Sequence, residues 1–289
     1  MHGAVCGKVG ANMVAYSKHP PSRWKSLALA VLFITTSMAA KLLPWWALSF
    51  LGEKSIVRST IAGLAALAAA VALTVLLRRR LPGYDSPSLI LLPRISRSEG
   101  WLLLAGLCAG AVLFALVFGI ATATGGIQVQ WRSTSLAPFV GTSVAVLIAT
   151  ILNAAWEEYT FRGWPFSAGV RAFGPHSVSI GSGAIFGLAH LLNPQWTLAA
   201  IASTALAGLL ICYAMLAFQN ILVVIGLHVG WNDTQSVLTS TKFWTVTSHP
   251  NPWLSGGKYG LEASAAGIAV TATAAVVALI GFFRKRRQA

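Results

Sequence analysis

Glu157 and Glu158 stand side by side at the end of a long apolar run, Leu136 to Trp156. Acids are scarce in this chain, seven Asp and Glu among 289 residues against 21 Lys and Arg, so an adjacent pair in such a place needs a reason. A charge near the middle of a bilayer costs roughly 2.5–3.5 kcal/mol on insertion scales. On a helix Glu158 and Arg162 are four residues apart, share a face and can pair, while Glu157 points about 100° away. One carboxylate can then be held ionised by Arg162 while its neighbour meets a different environment. In apolar surroundings a carboxylate becomes more basic, which suits a general base. An ion-paired helix end at the membrane interface accounts for the same three residues.

Two further places carry groups of this kind. His190 follows Phe186 by four residues in a stretch rich in small residues, Gly181, Gly183, Ala184, Gly187 and Ala189, which let helices approach closely. Alone, it also reads as a hydrogen-bonded core histidine. His228 and Asn232 are four apart and face one way; both can donate a hydrogen bond, so together they could hold an oxyanion. An interhelical polar contact is the plainer reading of that pair. Asp233 either orients a neighbouring polar group or sits at the outer helix end. Together, an acid pair, a histidine and a histidine–asparagine face are the groups needed to activate water and stabilise a tetrahedral intermediate. His2, His19, His176 and His249 lie in tails, loops or a span end and are assigned no role.

The elements that must position these groups are membrane helices. The chain is 56% hydrophobic and 10% charged, with a mean hydropathy of +0.70, whereas a soluble domain carries about 25% charged residues. Eight apolar runs are long enough to span, at about 27–51, 56–77, 101–123, 138–162, 176–192, 196–218, 219–238 and 261–283. The runs are continuous rather than alternating, which excludes a strand barrel, and no internal repeat supports a transporter of inverted-repeat design. The fold class is all-α, a polytopic helical bundle. The first run outlasts an ordinary signal-peptide core, so a retained helix is expected despite the cleavage-like Ser37-Met38-Ala39. Lys41 and Pro44 interrupt it. Gly163-Trp164-Pro165 and Gly174-Pro175 bracket a connection that cannot be one straight helix.

Eight spans with the N-terminus inside put fifteen Lys and Arg on the inner side. The outer side holds five, Lys54, Arg58, Arg132, Lys242 and Lys258. This bias places both ends in the cytoplasm, in the inner cell membrane if the source is bacterial. Because the basic residues flank apolar runs, the net charge of +14 points to membrane topology and not to nucleic acid. Cys6, Cys108 and Cys212 are far apart and suggest no disulfide framework or zinc knuckle. The chain divides into a basic tail (1–26), N-terminal membrane helices (27–135), a core (136–238), and a loop, last helix and basic tail (239–289).

The ordered set Glu-Glu-x-x-x-Arg, Phe-x-x-x-His and His-x-x-x-Asn on successive membrane helices resembles the CPBP family. That family comprises the type II CAAX prenyl endopeptidases and their bacterial relatives, often called Abi or bacteriocin-processing proteins. Residues Leu136 to Val237 carry the resemblance; the first 135 residues have no comparable motif. It implies an intramembrane endopeptidase in which Glu157 activates water with help from His190, His228 and Asn232 form the oxyanion site, and Glu158 and Arg162 give support. The partners implied are a membrane-associated protein or peptide, prenylated or not, and the lipid bilayer. Members of the family have been described both as metalloproteases and as metal-independent glutamate proteases. Zinc held by Glu157, His190 and His228 is possible, but no HExxH helix is present, which favours a reaction without metal. A non-catalytic scaffold or immunity protein of the same fold, or a proton-coupled transporter, are the rivals.

Straight spans leave one difficulty. Glu157 would lie near the inner end of its helix and His190 about 14 residues up the next, a mismatch on the order of 10 Å at 1.5 Å per residue. Either the fourth helix runs deeper, or the 163–175 connection dips into the membrane.

Overall fold

The computed structural model describes residues 22–52, 55–81, 97–131, 136–239 and 244–288. The expected 1–26 tail, up to residue 21, and most of the Pro- and Arg-containing 81–100 connector lie outside these, as do Lys54, Arg132 and Lys242. The helices are α1 (Arg23–Ala47), α2 (Ile56–Arg80), α3 (Arg97–Ala123), α4 (Leu136–Arg162), α5 (Trp164–Phe173), α6 (Pro175–Ala189), α7 (Leu198–Phe218), α8 (Ile221–Leu238), the single turn α9 (Pro252–Ser255) and α10 (Ala265–Arg287). The fold is an all-α membrane bundle.

Five of these helices, α1, α2, α3, α7 and α10, are long and apolar enough to cross a membrane. In four of them only 17–28% of the most apolar stretch is buried by protein, against 61% in α7, which puts α7 at the centre and leaves the others facing outward. Exposed Leu32, Leu43, Leu64, Leu104 and Val277 are what a lipid-facing surface requires. The remaining expected spans differ. Helix α6 has 15 residues, about 22 Å of length, too little to cross a hydrocarbon core of about 30 Å alone. Helix α4 is long, but carries Glu157, Glu158 and Arg162.

The turn expected at Gln219-Asn220 is present. Gln219 takes the left-handed conformation at φ 52° and Asn220 caps α8 by accepting from the Leu222 amide at 2.8 Å. One feature was not expected from the continuous apolar runs. Strands β1 (Ile127–Trp131) and β2 (Trp244–Ser248) pair antiparallel, from Ile127 opposite Ser248 to Trp131 opposite Trp244.

Helix α8 is fixed by its approach to α3. Gly106 and Gly110 on α3 face Gly226 and Gly230 on α8 so closely that a Cβ on any of them would lie 2.0–2.2 Å from a backbone carbonyl of the other helix. This is reciprocal small-residue packing, in which backbones touch because no side chains separate them. On the other side Gly183 and Gly187 of α6 rest on the backbone of α7. Both helices that carry histidines are therefore set by glycine contacts.

The 163–175 connection resolves the height mismatch. It is helix α5, with Trp164, Phe166 and Ala168 at 0–1% exposure and Trp164 stacked on Phe33 of α1 at 6.5 Å. Helix α4 thus ends inside the bundle, not at its surface, as the second of the two alternatives requires.

Candidate active site

Helix α4 turns its two adjacent acids to different surroundings. Glu158 and Arg162 are wholly buried, with Arg162 Nη1 3.5 Å from Glu158 Oε2, while the Glu157 side chain keeps 21% of its surface. The one-residue rotation of the helix separates them. Arg162 also donates through Nη2 to the Gly208 carbonyl at 3.0 Å, and its guanidinium lies 4.3 Å from the Phe186 ring centre. A buried carboxylate beside a fixed guanidinium stays ionised, because neutralising it would strand the cation.

His228 links the two acids. Its Nδ1 lies 2.7 Å from Glu158 Oε1 and its Nε2 lies 3.8 Å from Glu157 Oε2. Since ionised Glu158 can only accept, Nδ1 carries a proton and donates to it. The ring is thereby aimed, with Nε2 turned toward Glu157.

His190 closes α6 at the start of a 3₁₀ turn, His190–Leu192. Its Nδ1 lies 2.8 Å from the Phe186 carbonyl. A carbonyl only accepts, so Nδ1–H donates and Nε2 is the ring nitrogen available to a water or substrate. Phe186 sits among these groups, with ring centres 4.8 Å from His190, 6.2 Å from His228 and 5.3 Å from Phe161. The aromatic residue of the Phe-x-x-x-His motif thus covers Arg162 and spaces the two histidines.

Glu157, His190, His228 and Asn232 line one cavity of about 700 Å³. They come from α4, α6 and α8, the three helices singled out by the sequence. Glu158 and Arg162 lie behind the wall, and Asp233 does not line it. The arrangement places a carboxylate, two histidine nitrogens and an amide around a space large enough for a peptide and water. Among the described residues no three His, Cys, Asp or Glu side chains are disposed to hold a metal ion.

Several cavity residues have no counterpart in the motifs. Glu262, in the 3₁₀ turn before α10, and Tyr259 just before it line the wall. The Glu262 backbone carbonyl accepts from Ser203 at 2.5 Å. Burial raises the Glu262 carboxyl above its ordinary range, against the opposing pull of Gln235, Trp231 and His228. Burial also pushes the Tyr259 hydroxyl up. From α1, Lys41 reaches Asn153 and lies 4.0 Å over the Trp156 ring. Asn153, one turn before Glu157, donates to Ser59 of α2 at 3.1 Å. The available signal for Glu262 and Lys41 was scarcity: one is among seven acids, the other a cation within an apolar run.

Residues 139–234, roughly a third of the chain, match the model of a family described as type II CAAX prenyl endopeptidase Rce1-like. No curated protein matches the chain. The matched segment contains Glu157, Glu158, Arg162, Phe186, His190, His228 and Asn232, and falls within the expected core. Over this segment the chain is similar to the type II CAAX prenyl endopeptidases, the family that its motifs resemble.

Proposed function

We propose that this integral membrane protein is an endopeptidase that hydrolyses a peptide bond of a membrane-associated substrate through water activated by Glu157. The observation that carries this reading is the shared cavity, in which Glu157, His190, His228 and Asn232 meet from three helices. Glu157 accepts a proton from water, with His190 Nε2 holding that water in place. The hydroxide adds to the peptide carbonyl. His228, protonated at both nitrogens and held by Glu158, donates through Nε2 to the oxyanion, and the Asn232 amide donates beside it. Glu157 then returns its proton to the leaving amine, so water is divided between the two products. Arg162 keeps Glu158 ionised and hence His228 oriented.

No step is routed through a metal, and cleavage is expected to continue in the presence of a chelator. Both termini lie in the cytoplasm, and the membrane is the inner cell membrane if the source is bacterial. Processing of prenylated CAAX tails is one use of such a site; trimming of exported leaders or anchored membrane proteins is another. No role in nucleic-acid binding follows. The test compares membrane peptides by mass spectrometry between wild type and Glu157→Ala, His190→Ala and His228→Ala. Each variant should remain inserted and lose the same cleavage products. Full retention of those products in all three would overturn the reading, and loss of solute flux without any change in peptides would make the chain a transporter.

A further inference from the structure

The bundle has two unlike ends. Toward one, the N-terminal half of α1 meets α5 through Phe33 and Trp164. There the start of α6 also meets the ends of α7 and α10, where His176 contacts the Tyr213 hydroxyl at 3.0 Å and stacks on Phe283. Lys285 of α10 donates to the Ala217 carbonyl at the end of α7. This end carries Arg23, Lys25, Arg78–Arg80, Arg171 and Arg284–Arg287. At the other end, the cations among the described residues are Arg58 and Lys258. Arg58 is buried, donates to the Trp45 carbonyl at 2.6 Å and lies 4.0 Å over the Trp45 ring. The sequence adds Lys54, Arg132 and Lys242 between elements of this end, still far fewer than the basic end holds.

The catalytic cavity is equally one-sided. Toward the basic end it is closed: Glu158, Arg162 and Trp164 have no exposed surface and Phe166 has 1%. Its outer lining comes from the opposite end, Trp45 and Ser55 at the α1–α2 turn, Asn193 after α6, Thr239 at the end of α8 and Tyr259 before α10. Cytoplasmic segments are the ones enriched in Lys and Arg.

We infer that the cavity opens on the non-cytoplasmic face of the membrane, and that its substrate is the juxtamembrane segment of an anchored or exported protein on that face. The substrate half of this inference rests on the endopeptidase reading; the topological half does not. A peptide arriving from the cytoplasm would have to cross the packed floor built by α5 and the Glu158–Arg162 pair. A cytoplasmic carboxyl-terminal tail is thus the wrong substrate geometry for this chain.

Labelling with a membrane-impermeant maleimide tests the topology. Cys6 and Cys108 are replaced by Ser and Ala, and buried Cys212 is kept. Lys258→Cys, exposed beside the mouth, and Gln288→Cys, exposed beyond α10, are introduced one at a time. In sealed vesicles of both orientations, Lys258→Cys should react only from the non-cytoplasmic side and Gln288→Cys only from the cytoplasmic side. Reaction of Lys258→Cys from the cytoplasmic side, or of both positions from one side, overturns the inference. Neither substitution touches the catalytic groups, so the result stands whether or not the protein cleaves. Peptides that disappear in Glu157→Ala membranes should map to non-cytoplasmic segments. Cleavage sites in cytoplasmic segments, or no differing peptide at all, overturn the substrate half, and the second outcome also removes the endopeptidase reading.

Discussion

The matched core, 139–234, and the helices around it contribute to the same cavity in different ways. The core supplies every group proposed to touch the reaction, Glu157, His190, His228 and Asn232. The flanks supply what holds those groups. Ser37 of α1 accepts from the Trp156 indole at 2.9 Å and donates to Thr160 at 2.6 Å, so α4 is fastened on either side of its acids. Lys41 and Ser59 fasten Asn153 one turn earlier. Glu262 and Tyr259, from the turn before α10, complete the wall. Reactive groups come as short motifs on three helices, while their support is spread over elements with no motif at all.

If that contrast holds, core substitutions abolish cleavage and flank substitutions only weaken it. The largest effect belongs to the proposed reactive groups: His228→Ala should lower cleavage roughly a thousandfold, within the range for loss of general acid–base or oxyanion catalysis, as read from product formation at equal protein level. Next comes Glu158→Gln, which leaves Arg162 without its buried partner. Breaking such a pair costs about 3–5 kcal/mol, so this variant should melt well below wild type and lose cleavage with its fold. Gly230→Leu, within the core, should do similar damage by pushing α8 off α3, since a Cβ there already meets the Leu107 carbonyl at 2.1 Å.

Lys41→Met should be milder, a loss of roughly three- to tenfold in cleavage, on the order of 1 kcal/mol. If Lys41→Met were as damaging as His228→Ala, the distinction between core and flank would fail. The smallest effect concerns Glu262. Burial raises its carboxyl pKa in the fold, so the folded state holds the proton more tightly than the unfolded chain. Stability from this group is present below the unfolded value of about 4.3 and is lost as pH rises toward the folded value. Wild type should therefore lose melting temperature relative to Glu262→Gln as pH rises from about 4, and a constant difference across that range would show that the buried carboxyl does not titrate with folding.

The sequence makes the helices and the cavity-lining polar set legible for a physical reason. Apolar runs of spanning length have no soluble alternative, and charged groups within them are costly enough to be conspicuous. The 3.6-residue period separates Glu157 from Glu158 without any tertiary information. The β1–β2 ribbon was not legible, because strands of five residues between spans leave too short a pattern. Helix α5 was recognisable only as a bend, from Gly163, Pro165, Gly174 and Pro175; its burial depends on Phe33, 131 positions before Trp164. The glycine pairs of α3 and α8 do leave a trace in the sequence, since Gly106-x-x-x-Gly110 and Gly226-x-x-x-Gly230 each follow a spacing typical of close helix contacts. The places of Lys41 and Glu262 needed the tertiary fold, since neither belongs to a local pattern.

In the proposed mechanism two adjacent carboxylates do different work, Glu157 facing the cavity as the base and Glu158 buried as support. Glu157→Gln tests it most directly, because the amide keeps the shape and removes the basicity. Membrane peptides and thermal melting are measured together, at equal insertion. The melting temperature should stay close to that of wild type while the cleavage products vanish; products undiminished by Glu157→Gln would rule out Glu157 as the base.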